Sequence, residues 1–177
     1  DLEVVAPLDI AHLSLAVDGQ DRPHVVYRGP SGLEYAFRDE SGWITEMLGT
    51  EGADGQFPQL ALDGSGRPYV LYFDQESADN IYLRLAYRDE DTWQFLSVER
   101  VMGIVGGIDI ALDGSGVPHF VYRRSGPGAA PPYELVYGYR EGGGWHLEVV
   151  DDEAGTASLA LDADGRPHIV SGSLYAY

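Results

Sequence analysis

Three histidines, three arginines and three tryptophans recur at matching places in the chain, and each set carries chemistry worth weighing. His24, His119 and His168 share one position of an internal repeat, with Tyr69 in the remaining copy. Clustered imidazoles bind metals, but ligation needs several donors converging at about 2 Å on one ion. A tyrosine in one copy favours a ring packed beside a turn instead. Arg38, Arg88 and Arg140 each follow an aromatic residue and precede Asp39, Asp89 and Glu141. A guanidinium cluster recognises carboxylate or sulfate, yet the adjacent acids predict ion pairs at the rim of each arginine's own repeat, of small energetic consequence. Trp43, Trp93 and Trp145 would suit sugar stacking if exposed, whereas their regular placement predicts packing between repeats. Acidic turns such as Asp162-Ala163-Asp164-Gly165 lack the ligand ladder of an EF-hand, so no cofactor is assigned beyond a loose calcium or axial ion. There is no G-x-S-x-G elbow, no H-E-x-x-H and no phosphate-binding glycine loop, so no catalytic residue and no metal ligand is assigned.

Composition narrows the partners. A net charge of −18 repels phosphate backbones and anionic lipid surfaces, which argues against nucleic acid and membrane binding. No apolar run approaches the roughly 20 residues of a membrane span, so membrane insertion is not expected. At 44% hydrophobic and 23% charged, the 177 residues suit one packed domain. The absence of cysteine removes disulfides and thiolate chemistry.

The elements that position these residues come from a repeat. Ser14-Leu15-Ala16-Val17-Asp18 returns at Gln59, Asp109 and Ser158, at offsets of 45, 50 and 49 residues. A second apolar run opens at Pro23, Pro68, Pro118 and Pro167; a third ends Phe37-Arg38, Tyr87-Arg88, Tyr139-Arg140 and, at the last copy, Tyr177. A fourth begins at each tryptophan. Short runs rich in Val, Leu, Ile and aromatics, bounded by Gly, Asp and Pro, are strand chemistry. The turn between the first two runs holds Gly66, Gly116 and Gly165 where a positive φ is needed, and Asp21 stands there in the first copy. Four strands in about 40 to 50 residues is the period of a β-propeller blade. The expectation is an all-β propeller of four blades of four antiparallel strands: blade 1 at 12–50, blade 2 at 57–102, blade 3 at 107–151, and blade 4 at 157–177 plus 1–6. The opening Leu2-Glu3-Val4-Val5 matches Leu147-Glu148-Val149-Val150, so residues 2–5 are expected to pair with 174–177 and close the last blade. A monomer is preferred, with an eight-bladed homodimer as the competing closure.

The pattern L-A-L-D-x-x-G-x-P-H-x-V-Y … Y-A-Y-R-D … G-W resembles bacterial propeller repeats of the broad sialidase/BNR-like kind, over essentially the whole chain. The Asp-box of sialidases and their arginine triad are absent. Four blades is also the count of hemopexin-like domains, whose terminal disulfide has no counterpart here. The resemblance implies blade architecture and, since such repeats are common in secreted and surface proteins, an extracellular or cell-surface setting.

Function is expected on the face where loops vary. The second-to-third strand loops, read as 28–32, 73–81, 123–132 and 172–173, differ in length, while the turns on the opposite face are uniform. The candidate ligand-binding residues are Phe73, Asp74, Glu76, Asp79, Asn80, Arg123, Arg124, Pro127, Pro131 and Pro132. The leading expectation is a non-enzymatic binding or scaffold module for a protein or glycan. The alternatives are a hydrolase or lyase with carboxylates at the axial mouth, and a propeller fragment that only folds or assembles.

Overall fold

Each repeat begins by folding back on an aspartate. Oδ1 of Asp18 accepts the backbone N–H of Gln20 at 2.8 Å and of Arg22 at 2.9 Å, and Asp63, Asp113 and Asp162 repeat the pattern. The carbonyl of each aspartate also accepts the N–H three residues on. The third residue after the aspartate must then take a left-handed conformation. Gly66, Gly116 and Gly165 do so at φ of 83°, 81° and 79°, and Asp21 does so at 59°, as the sequence predicts.

The computed structural model describes residues 3–5, 9–49, 55–77, 80–103, 106–125, 133–152 and 155–177. These contain only strands and turns. Blade 1 holds β1 (Ala11–Val17), β2 (Pro23–Gly29), β3 (Gly32–Asp39) and β4 (Gly42–Met47), antiparallel and in sequence order. Blade 2 holds β5 (Gln56–Leu62), β6 (Pro68–Ser77), β7 (Asn80–Asp89) and β8 (Thr92–Val101). Blade 3 holds β9 (Asp109–Leu112), β10 (Pro118–Ser125), β11 (Tyr133–Glu141) and β12 (Gly144–Asp151). Blade 4 holds β13 (Ala157–Leu161), β14 (Pro167–Ser171) and β15 (Leu174–Ala176). The sheets stand as the blades of a four-bladed β-propeller.

Because side chains alternate across a strand, each blade offers one apolar face backward and one forward. The core is accordingly divided among the junctions. Val26, Leu33 and Tyr35 of blade 1 pack with Leu60, Val70 and Tyr72 of blade 2. Leu71, Phe73 and Leu85 of blade 2 pack with Ile110, Phe120 and Tyr122 of blade 3, and Val121, Leu135 and Tyr137 of blade 3 with Leu159 and Ile169 of blade 4. Inner strands follow suit: β1 packs on β5, β5 on β9 and β9 on β13, with no comparable packing from β13 back to β1 among the described residues.

The fourth blade has three strands, and residues 3–5 take no strand conformation. The expected pairing of the opening residues with 174–177 is not the arrangement found; Leu2 itself lies outside the described residues. Among the described residues, blade 4 does not pack back on blade 1 as the other blades pack on their neighbours, so the opening residues lie on blade 1 away from the edge of β15. The Glu3 carboxylate accepts two hydrogen bonds from Arg38, at 2.8 and 3.0 Å, and one from the Trp43 indole at 3.1 Å, which holds it against blade 1.

Candidate functional site

Aromatic rings line the turn-bearing face of each junction. The His24 ring stacks on Phe37 at 6.0 Å, Tyr69 on Tyr87 at 5.6 Å and His119 on Tyr139 at 5.6 Å. Cross-strand pairing explains this, since His24 sits opposite Phe37, Tyr69 opposite Tyr87 and His119 opposite Tyr139. Three repeats add a relay. Nδ1 of His24, His119 and His168 lies 2.5, 2.6 and 2.5 Å from the hydroxyl of Tyr35, Tyr137 and Tyr175. The other ring nitrogen faces the turn aspartate, at 3.3 Å for His24 and Asp18. Burial pulls His24 and His119 below the ordinary imidazole value. It also pushes the Tyr137 phenol up to about 12. Blade 2 lacks both relay members: Tyr69 replaces the histidine and Leu85 the tyrosine. The repeated histidine is thus a packed ring beside a turn, as the sequence argues. Among the described residues no group of three or more His, Asp or Glu could hold a metal ion.

Two pockets follow from this layout. In the first, of 330 Å³, the His24, Tyr35 and Phe37 wall of blade 1 faces Arg67, Arg88 and Glu90 of blade 2. In the second, of 320 Å³, the Tyr69, Leu85 and Tyr87 wall of blade 2 faces Val117, Arg140 and Gly142 of blade 3. Most lining positions correspond along the repeat, with Val117 standing where the first pocket has Arg67 and Gly142 where it has Glu90. Both volumes lie at the small end of the range for small-molecule sites, about 300–1,000 Å³. Glu90 enters the first pocket's rim from a backbone with φ of 52°, where the second pocket has Gly142 at 58°. A non-glycine residue held there is strained.

The arginines are anchored rather than loose. Arg88 donates to Glu46 of the preceding blade at 2.9 Å, and the Trp93 indole donates to the same carboxylate at 2.9 Å. For Arg88 and Arg38 the shortest pairs thus run to Glu46 and Glu3 rather than to acids of their own blade, although Asp91 lies 4.0 Å from Arg88, and Arg140 lies over the Trp145 ring of its own blade at 5.7 Å. Arg67 lies 3.7 Å from Asp63, and Arg22 lies 2.7 Å from Asp18. Burial opposes the charge on Asp18, but hydrogen bonds from the backbone of Arg22 and Gln20 and from the Arg22 side chain hold it well below the usual carboxylate range. Two tryptophans do reach across to the preceding blade: Trp93 meets Tyr35 of blade 1 edge-on at 5.2 Å, and the Trp145 indole donates to the Ser97 carbonyl of blade 2 at 3.1 Å while its ring meets Phe120 of its own blade at 5.4 Å.

The loop residues singled out from sequence fall elsewhere. β6 runs on to Ser77 and β10 to Ser125, so Phe73, Asp74, Glu76, Arg123 and Arg124 are strand residues. Phe73 is fully buried in the junction of blades 2 and 3. Asp74 and Glu76 both pair with Arg84, the former at 2.6 Å. Asn80 opens β7 opposite Ser77. Arg123 lies over the Tyr133 ring at 4.9 Å. Arg124 bridges Glu99 and Glu134 at 2.8 and 2.9 Å, beside a 220 Å³ hollow that includes Ser125 and Met102. Asp79, Pro127, Pro131 and Pro132 lie outside the described residues. The sequence reading passed over Arg67, Phe37, Tyr87 and Glu90. The signal for them was the matched change in blade 2, where the histidine and its tyrosine partner are replaced together.

Neither protein-family models nor curated proteins give a match to the sequence. Solved structures do match in fold. A fucose lectin from Kordia zhangzhouensis, in complex with methyl-fucoside, aligns at TM-score 0.51 and 16% identity over 77% of this chain and 96% of that one. An endo-arabinase from Bacteroides thetaiotaomicron VPI-5482 aligns at 0.58 and 15% over 89% of this chain and 68% of that one. A triple arginine-to-alanine mutant of AofleA from Arthrobotrys oligospora aligns at 0.61 and 13% over 89% of this chain and 48% of that one. Identity this low carries the fold alone.

Proposed function

We propose that the chain is a non-enzymatic carbohydrate-binding module that takes single sugar residues in the pockets between successive blades. The observation that carries this reading is the recurrence of a pocket built from corresponding repeat positions, with volumes of 330 and 320 Å³, at two junctions in succession. An aromatic wall offers its face to the C–H side of a pyranose, and an anchored guanidinium offers paired N–H donors to ring hydroxyls. Ion pairing to Glu46 offsets the charge of Arg88, which suits a neutral polyol over a strong anion. The reading also draws support from the fold likeness to a lectin solved with methyl-fucoside.

The hollow beside Arg124 on the opposite face supports a second reading, recognition of a protein or glycan there, close to where loop variation places it. Its charged groups already satisfy one another, which leaves less for a ligand to gain. Glycan-array screening of the purified chain tests both. Saturable binding to a defined sugar, abolished by Phe37→Ala together with Tyr87→Ala, is the expected result. Binding lost through Arg124→Ala instead would move the site to the other face, and a blank array would end the carbohydrate reading.

A further inference from the structure

We propose that two copies of the chain assemble head to tail, the forward face of blade 4 on one seating against the backward face of blade 1 on the other, so that each junction completes a further interblade pocket. The pocket's use rests on the reading above; the assembly does not.

The repeat itself says what covers the two end faces. Leu15 is 60% exposed, whereas its counterparts Leu60, Ile110 and Leu159 are 7, 7 and 8% exposed, each covered by the blade before it. At the other end Val170 is 48% exposed, against 0% for Val26, Leu71 and Val121, which the following blade covers. Tyr175 is likewise open where Tyr35, Leu85 and Tyr137 are buried. Leu13, Val17 and Tyr177 enlarge the two patches. Contiguous apolar surface of this kind marks an interaction site, and each patch has the residues that its complement meets at every internal junction.

The polar parts match as well. At the first junction the Ser14 hydroxyl accepts the Leu60 N–H at 3.2 Å, and at the third Asp109 accepts that of Leu159 at 2.9 Å. Ser158 and Leu15 hold the same acceptor and donor positions, respectively, on the two end faces. On blade 1, Arg22, Arg38 and Glu40 line a hollow that has the arginine wall of a pocket and lacks the aromatic one. His168, Tyr175 and Tyr177 supply an aromatic wall with no arginine wall before it. Glu3 grips Arg38 and Trp43 as Glu46 grips Arg88 and Trp93. Residues 3–5 therefore lie where the outer strand of a preceding blade lies, and the open edge of β15 on a second copy meets them there.

A second copy supplies closure. Among the described residues β13 does not pack on β1 as β5 packs on β1, β9 on β5 and β13 on β9, so the first and last blades leave their outer faces open. A heterologous contact that closes after two copies, four blades from each, gives a finite ring, not a filament.

Light scattering of the purified chain should give a mass near twice 19.3 kDa that falls to one chain on dilution. Leu15→Glu and Val170→Glu, both on open faces, should each yield a folded monomer. Mixed together they should form a dimer again, because one intact junction remains between them. A mass of one chain at high concentration would overturn the proposal, as would filaments, or a dimer that survives either variant. Mass reports the assembly whether or not any sugar binds, so its failure is separate from a blank glycan array.

Discussion

The Tyr35 hydroxyl lies 2.5 Å from Nδ1 of His24, while Nε2 of the same ring faces Asp18. A carboxylate only accepts, so Nε2 carries the proton and Nδ1 accepts the tyrosine O–H. Neutral imidazole is built into the junction. Burial, the leading cause, and the nearby Arg22 both favour the uncharged ring, and Asp18 opposes them.

A folded value below the ordinary one near about 6.5 fixes the sign of the pH dependence. Between the two values the unfolded chain binds more protons. The contribution of His24 and His119 is thus complete above about 6.5 and is lost as pH falls toward their folded values. Thermal midpoints should drop between pH 7.5 and 5.5. Installing blade 2's own pair, His24→Tyr with Tyr35→Leu, should shrink that drop; an unchanged slope would remove the relay as its source.

Gly138 is required by a neighbour. A Cβ there would sit 2.5 Å from the Phe120 ring and 2.7 Å from Leu147, while blades 1, 2 and 4 have alanine at this place opposite Val25, Val70 and Ile169. Gly138→Ala alone should cost about 1–3 kcal/mol through overpacking. Adding Phe120→Val should recover part of it, giving a coupling of about 0.5–3 kcal/mol in a urea-melt double-mutant cycle. Simple additivity would contradict the account.

Turn aspartates should differ in importance by burial. Asp63→Ala leaves the exposed N–H groups of Ser65 and Arg67 to water and should cost about 0.5–1.5 kcal/mol. Asp18→Ala also leaves the buried Nε2–H of His24 without its acceptor and should lower the thermal midpoint most, with Asp162→Ala the mildest. The reverse order, measured by calorimetry, would show that the histidine contact adds nothing.

Glu90→Gly separates binding from stability. Glycine relieves the positive φ and should leave stability equal or raised by up to about 1 kcal/mol. Sugar affinity at the first pocket should still fall severalfold in calorimetric titration. Undiminished affinity would show that the carboxylate takes no part.

Much of the fold is legible because it is local and repeated. Asp21 standing in for glycine, the prolines opening second strands and the tryptophans between blades all follow from short-range pattern. Strand length is less legible. Phe73 reads as a loop residue, yet alternation continues through it, and β6 extends past it to Ser77. Arginine partners are illegible for another reason: Arg88 has acids beside it in sequence, but its partner Glu46 lies 42 residues back, on another blade. Pockets between blades suffer the same difficulty, since no single repeat contains both walls.

Pockets that recur from one junction to the next set a fixed pitch along the face. A lone sugar gains nothing from that pitch, whereas a branched or clustered glycan that reaches two pockets makes its second contact intramolecularly. Effective concentrations in such tethered binding reach the millimolar range, and avidity exceeds single-site affinity by about 10² to 10⁴ when the spacing fits. The protein would then discriminate by the density and spacing of a sugar on a surface as much as by its identity.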